Sequence, residues 1–221
     1  MPHTLKIDFV SDISCPWCAI GLSALEQALG RLSGELSAEL CFQPFELNPQ
    51  MPPGGQDIGE HLAQKYGSTA EQQAQIRDTI RQRGADVGFT FNLAGRGRIY
   101  NTFDAHRLLH WAAQQDPARQ LALKKALLAA CHSRGQSVES HEVLLGAVRE
   151  AGLDPAPAQA ILGSDQFASD VRQAQAFYSS QGIHSVPAVI INDRHLISGG
   201  QPVAVFEQAL RQIAAENQQP N

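Results

Sequence analysis

The stretch Ile7-Asp8-Phe9-Val10-Ser11-Asp12-Ile13-Ser14-Cys15-Pro16-Trp17-Cys18-Ala19-Ile20-Gly21-Leu22 decides the fold. Its first half continues a run in which apolar Leu5, Ile7 and Phe9 alternate with polar Lys6 and Asp8, the period of a strand. Its second half opens the series Cys18, Leu22, Leu25, Leu29 and Leu32, at steps of four, three, four and three, one face of a helix ending near Leu32. Pro16 between the two suits the first helical position, because its φ is already helical and it has no N–H to lose. Cys15 then falls at the N-cap and Cys18 at the third helical position. A sulfur at the N-cap faces the unpaired N–H groups of Trp17 and Cys18 at the positive end of the helix dipole. Thiolates so placed can fall from about 8.5 into the range of about 3.5–7.5. The thiolate is the form that attacks a disulfide, so Cys15 is expected to be the nucleophile. Cys18, on the apolar stripe and more buried, is the expected resolving thiol.

Outward from this segment, Glu39 to Leu47 is rich in Leu, Phe and Cys and reads as a second strand closing a βαβ unit. Residues 57–180 carry helical periods, for which five to seven helices and no strand are expected. Asp116-Pro117 and Asp154-Pro155 each set an N-cap before a proline, and Ser140 and Ser164 are further cap candidates. Gly135, Gly152 and Gly182 follow helical runs, where a left-handed residue is often needed. The run Val186-Pro187-Ala188-Val189-Ile190-Ile191 suits a buried strand. A turn at Asn192-Asp193-Arg194 leads to a short partner strand, His195 to Ser198. Gly199-Gly200 breaks the chain before a last helix from Val203 to about Ala215, and the tail Glu216–Asn221 is polar. The order βαβ, helices, ββα is a two-part α/β architecture. Residues 1–55 and 183–221 are expected to form one discontinuous domain, and residues 56–182 an all-helical insertion domain.

The chain has 221 residues, 43% hydrophobic and 18% charged, with a net charge of −5 and a pI near 5.9. That reads as globular, with none of the basic stripe of a nucleic-acid binder. The N-terminus lacks the basic and apolar regions of a secretory signal, and no apolar run approaches the ~20 residues of a membrane span. A cytoplasmic protein is expected.

Four cysteines are present: Cys15, Cys18, Cys41 and Cys131. A lone C-x-x-C can be half a zinc site, but such sites usually need two more Cys or His ligands and no second close pair exists here. Cys41 in a strand and Cys131 on the Leu123/Leu127 stripe read as small buried hydrophobes. His106 and His110 have metal-ligand spacing without the following Glu, and read as a solvated or hydrogen-bonded pair. No metal is expected. Residues 1–50 hold two basic and six acidic side chains, 2 − 6 = −4, whereas Arg77, Arg81, Arg83, Arg96, Arg98 and Arg107 make the middle of the chain basic. These arginines read as a solvated helix surface. Asp8 and Asp12 read as polar strand ends, and Phe89, Phe91, Phe167 and Phe177 as packing residues. By base rate alone, Val186-Pro187 is trans, since only about 5–6% of X–Pro bonds are cis.

Cys15-Pro16-Trp17-Cys18 after a first strand, the helical insertion and the late Val186-Pro187 together resemble the DsbA-like thioredoxin superfamily, and within it the FrnE-like cytoplasmic branch. Phe45-Glu46-Leu47-Asn48-Pro49, Asn101-Thr102, Ala105-His106-Arg107-Leu108 and Ser198-Gly199-Gly200-Gln201-Pro202 carry the same likeness, which spans the chain. It implies a thioredoxin fold, α/β, with a large all-helical insertion. It further implies attack by Cys15, resolution by Cys18, and a cis Pro187 beside them, reversing the base-rate reading. Val186 would offer its backbone to an extended substrate, with Pro16 and Trp17 tuning the thiolate and adding an apolar contact. The Pro-Trp dipeptide differs from the Pro-His of the exported strong oxidants, so their redox poise does not carry over.

The expected activity is thiol–disulfide exchange on protein or small-thiol disulfides. No cofactor is expected beyond the redox-active disulfide, with glutathione or a thioredoxin-type system recycling it, and neither nucleic acid nor membrane is an expected partner. Two alternatives stand beside it. A glutathione-dependent isomerase or transferase of the 2-hydroxychromene-2-carboxylate isomerase type usually has Ser where this chain has Cys15. A non-enzymatic partner-binding protein would keep its activity without either cysteine.

Overall fold

The computed structural model describes residues 4–92 and 95–216. The expected tail beyond Glu216 lies outside the described residues. A βαβ unit opens the chain: β1 (Thr4–Ser11), α1 (Pro16–Arg31) and β2 (Ser37–Pro44). Then come β3 (Gln56–Asp57), α2 (Ile58–Tyr66), α3 (Ala70–Asp86), β4 (Arg98–Ile99), α4 (Phe103–Gln115) and α5 (Pro117–Leu128). A π-helical turn, Ala129–Ser133, extends α5, and α6 (His141–Glu150), α7 (Pro155–Leu162) and α8 (Ala168–Ser180) complete the helical block. The chain returns to the sheet through β5 (Ala188–Ile191), β6 (His195–Ser198) and α9 (Val203–Glu216).

The main sheet has the order β2-β1-β5-β6, with β1 parallel to β2 and antiparallel to β5. Because β1 is flanked on both edges, its pleat sorts its side chains into two layers. Leu5, Ile7 and Phe9 enter a core with Leu22 and Leu25 of α1, Val189 and Ile191 of β5, and Phe206 and Leu210 of α9. Val10 faces the other way and packs with Tyr178, Ile183 and Ala188. Each such large apolar side chain contributes roughly 1.5–3 kcal/mol when fully buried.

A separate core belongs to the helical block, built on Leu108, Leu109, Leu123, Leu127, Leu144, Val148 and Ile161. Ile13, although it follows β1, is fully buried in this second core. The loop that leads to Cys15 is therefore held by both halves of the molecule.

The expected elements and the observed ones differ in a few places. The helical stretch includes a short antiparallel ladder, β3 with β4, pairing Gln56 with Ile99 and Asp57 with Arg98. Two-residue strands carry no readable period. Asp116 and Asp154 do cap α5 and α7, accepting from the N–H of Ala118 and Ala156. Ser140 sits at the N-cap of α6 without a side-chain capping bond. Ser164 caps nothing: α8 begins after Phe167 at φ 63°, and the Ser164 hydroxyl donates back to the Ala160 carbonyl. The late strand starts at Ala188, after Val186 and Pro187, and the Pro187 carbonyl accepts from the Gly199 N–H at 2.8 Å.

Candidate active site

Cys15 occupies the N-cap of α1 in extended geometry (φ −86°, ψ 115°), with Pro16 at the first helical position. Cys15 is 4% exposed and Cys18 is fully buried; both are free thiols. The Cys18 N–H donates to the Cys15 carbonyl at 3.1 Å, and the Cys15 N–H to the Asp12 carbonyl at 3.3 Å. These bonds fix the two sulfurs on one turn. The Cys18 thiol, donating a hydrogen bond, holds the Cys15 thiol below its ordinary value against the cost of burial, helped by the N–H groups of Cys18 and Trp17. Burial, followed by the neighbouring Cys15, pushes Cys18 well above its ordinary value. One sulfur is prepared to ionise and the other to keep its proton.

The second wall is the loop before β5. The Val186-Pro187 bond is cis, and the Cys15 thiol donates to the Val186 carbonyl at 3.6 Å. Pro16, Trp17 and Val186 are half-buried around it. The Gly199-Gly200 pair closes the same corner: a Cβ on Gly200 would lie 2.9 Å from the Trp17 carbonyl oxygen, and one on Gly21 3.1 Å from Pro187 Cγ. Arg83 of α3 donates to the Gly200 carbonyl at 2.9 Å and holds the loop there. Gly200→Ala must displace backbone, so it is expected to cost about 1–3 kcal/mol in denaturant unfolding. Gly146→Ala in α6, with open space around it, is the control and should be neutral or stabilising by roughly 0.5–1 kcal/mol. Equal midpoints for the two variants would contradict the close approach.

Behind the cysteines lies a buried polar layer. Asp12, 1% exposed, accepts from the Ser14 N–H at 3.0 Å, the Ser14 hydroxyl at 2.9 Å and the Leu47 N–H at 2.7 Å. His106 Nε2 stands 3.8 Å from it, longer than a hydrogen bond. Burial works against the Asp12 charge, but His106 and the Leu47 and Ser14 amides outweigh it and hold the carboxyl well below the usual range. His132 Nε2 donates to the Ile13 carbonyl at 2.9 Å, which leaves Nδ1 to accept from Arg96 Nη1 at 3.2 Å. Burial, and then the Arg96 charge, push His132 well below its ordinary value, in keeping with this neutral tautomer. Arg96 Nη2 donates to the Ser14 carbonyl at 2.8 Å. Residues 12–14 are thus clamped from the helical block by a guanidinium and two imidazoles.

Over residues 6–211 the chain matches the DSBA-like thioredoxin domain. It belongs to that family. A probable DsbA oxidoreductase from Streptomyces coelicolor is 31% identical, with a TM-score of 0.88 over 98% of this chain and 92% of that one. The uncharacterized protein YwbO of Bacillus subtilis is 26% identical over 94% of this chain and 96% of its own length. The fold is shared by the cytosolic disulfide reductase DsbM of Pseudomonas aeruginosa, solved with GSH, at 16% identity and a TM-score of 0.64 over 95% of this chain and 99% of that one.

Several polar residues of this DsbA-like chain sit elsewhere than the sequence suggested. Arg96 and Arg107 are buried rather than solvated, because each has carbonyls to satisfy: Arg107 donates to those of Ile161, Ser164 and Gln166. Asp12 is no solubilising strand end. His106 and His110 do not act as a pair, since His106 faces Asp12 while His110 lies against the Phe167 ring. Among the described residues no group of three or more His, Cys, Asp or Glu side chains could hold a metal ion. Phe91 is buried as expected, whereas Phe177 is 56% exposed. The buried lysine Lys124 drew no attention in the sequence, although Gln120, Leu123, Lys124, Leu127 and Leu128 follow the spacing of a core-facing helix stripe. A groove of about 640 Å³ between α1 and α5, lined by Ala19, Leu22, Leu121 and Ala122 among others, does not include either active-site sulfur.

Proposed function

We propose that this DsbA-like chain exchanges disulfides in the cytoplasm, as a member of the FrnE-like branch, through the Cys15-Pro16-Trp17-Cys18 dithiol. The observation that carries this reading is the placement of two free thiols on the first turn of α1, Cys15 at the N-cap against the Val186 carbonyl of the cis Val186-Pro187 bond and Cys18 buried. The Cys15 thiolate attacks a disulfide R–S–S–R, one RS⁻ leaves, and a mixed disulfide forms. Cys18 then attacks the Cys15 sulfur, releasing the second thiol and leaving a Cys15–Cys18 disulfide; two electrons pass to the substrate. The Val186 backbone, beside the Cys15 sulfur, receives an extended substrate, with Pro16, Trp17 and Pro187 as its apolar contacts. Glutathione or a thioredoxin-type reductant returns the pair to dithiol, a role that the GSH bound to the cytosolic DsbM supports by analogy of fold. Among the described residues no helix is long and apolar enough to cross a membrane.

Equilibration in graded glutathione redox buffers, followed by tryptophan fluorescence, tests the reading. A reversible two-electron transition absent from Cys15→Ser is expected, because Trp17 adjoins both sulfurs whereas the other tryptophan, Trp111, lies in the helical core. Absence of any transition in the wild type would refute the proposed couple.

A further inference from the structure

We propose that Lys124 is the positioning charge that brings Cys18 to its reactive thiolate, so that the helical insertion supplies part of the exchange machinery. This rests on the dithiol reading above. Lys124 is fully buried and its Nζ has no hydrogen-bond partner among the described residues. An ammonium in that state is costly to bury, and no hydrogen bond among the described residues repays it. Its position is well fixed. One turn earlier, Gln120 accepts from the Phe42 N–H at 3.0 Å and donates to the Phe42 carbonyl at 3.1 Å, laying α5 along β2. Lys124 Nζ then sits 5.8 Å from the Phe42 ring centroid, and Phe42 is paired with Phe9 on the strand that runs into the active-site loop.

The titratable groups around it come from each neighbouring element. Cys18 and Cys15 of α1 and Asp12 of the loop after β1 are near enough for their charges to act on it. His106 of α4 stands behind Asp12, while Arg96 and His132 engage the far side of the loop at Ser14 and Ile13. On α5 itself, Lys125 turns outward to Glu26. Asp12 already accepts three hydrogen bonds from Ser14 and Leu47. The anion that lacks a partner is the one that forms during turnover, on Cys18. In the resting dithiol, Cys18 donates to the Cys15 sulfur, which ionises the more readily of the two. In the mixed disulfide, Cys15 is neutral and Lys124 remains the facing cation. Cys18 gives up its proton, its sulfur bonds to Cys15, the Cys15–substrate bond breaks, and the departing thiolate ends protonated as R–SH. Burial brings Lys124 down to about 8, so the ammonium is present below that pH and lost above it.

The reduced full-length protein, mixed with the neutral disulfide dithiodipyridine, should release one thiopyridone on attack by Cys15 and a second on resolution by Cys18. With Lys124→Met the second phase is expected to slow at least tenfold at pH 7, and the first by no more than threefold. The wild-type advantage should shrink above pH 8. Lys124→Arg, which keeps its charge, should restore the second phase and keep its advantage above pH 8. The thermal midpoint of Lys124→Met should not fall, since a buried unpaired charge has been removed. An unchanged second phase in Lys124→Met, or equal slowing in Met and Arg, would overturn the proposal while leaving the dithiol reading intact. Loss of the first phase in the wild type would instead refute that reading. The wild type gives a check free of folding: it has four lysines, Lys6, Lys65, Lys124 and Lys125. Carbon-13 NMR of labelled lysines should find one titrating well below the ordinary value of about 10.4 and responding to oxidation of the cysteine pair. Four ordinary titrations would overturn the proposal.

Discussion

Cys15→Ser is expected to abolish disulfide exchange, lowering turnover on a disulfide substrate at least 10³-fold with the fold intact. The hydroxyl ionises far above neutral pH, so the N–H groups at the start of α1 have no anion to stabilise. Cys15 is 4% exposed and its thiol makes one weak bond to Val186, so serine should be accommodated with little change in unfolding free energy. Cys18→Ala is expected to behave differently: attack by Cys15 survives, resolution does not, and a mixed disulfide accumulates that mass spectrometry can identify. The asymmetry also has a pH signature. Because Cys15 is lowered and Cys18 raised, alkylation of the reduced protein should show a single midpoint below about 8.5, assigned to Cys15 by peptide mapping. Preferential labelling of Cys18, or full turnover by Cys15→Ser, would overturn the assignment.

Asp12→Ala should be the most damaging single change to stability, at about 3–5 kcal/mol, the range seen when one partner of a buried charged network is removed. It strands the Ser14 and Leu47 N–H groups and leaves His106 facing an empty site. The pH dependence follows from the lowered carboxyl. Unfolded, Asp12 titrates near ~3.9; folded, it holds its charge to lower pH. Its contribution is therefore fully present above about pH 4 and lost as pH falls through the folded value. Denaturant unfolding at several pH values should show the wild type losing stability below pH 4 and the alanine variant losing measurably less. Parallel acid profiles would mean that Asp12 does not carry the acid sensitivity.

The fold was largely readable because it is written in local periods. The alternation Leu5, Ile7, Phe9 and the stripe Cys18, Leu22, Leu25 each describe a surface that must be buried, and Asp-Pro pairs announce where α5 and α7 begin. Family membership and the thioredoxin fold agree with the resemblance carried by Cys15 to Cys18 and Val186-Pro187. The cis geometry of that bond could be anticipated only through the resemblance, since local sequence favours trans. The polar layer was not legible for a different reason. Arg96 and Lys124 are ordinary surface residue types, and His106 and His132 belong to a type that is as often partly buried. The burial of Arg96, His106 and His132 follows from partners remote in sequence, such as the carbonyls of Ile13 and Ser14, and pairings of that kind leave no trace in composition. His106 and Lys124 lay within apolar stripes, at Leu108-Leu109 and Leu123-Leu127, and a polar residue inside such a stripe was the available clue.

Ile13 has a consequence for engineering. Its side chain belongs to the helical core while its neighbour Cys15 belongs to the sheet core. Excising residues 58–180 to leave a minimal redox module would strip Ile13 of its surroundings and take away the donors that satisfy the Ile13 and Ser14 carbonyls. The loop that presents the nucleophile is a shared part, and a trimmed or chimeric version would need a new seat for Ile13 before its cysteines could be expected to work.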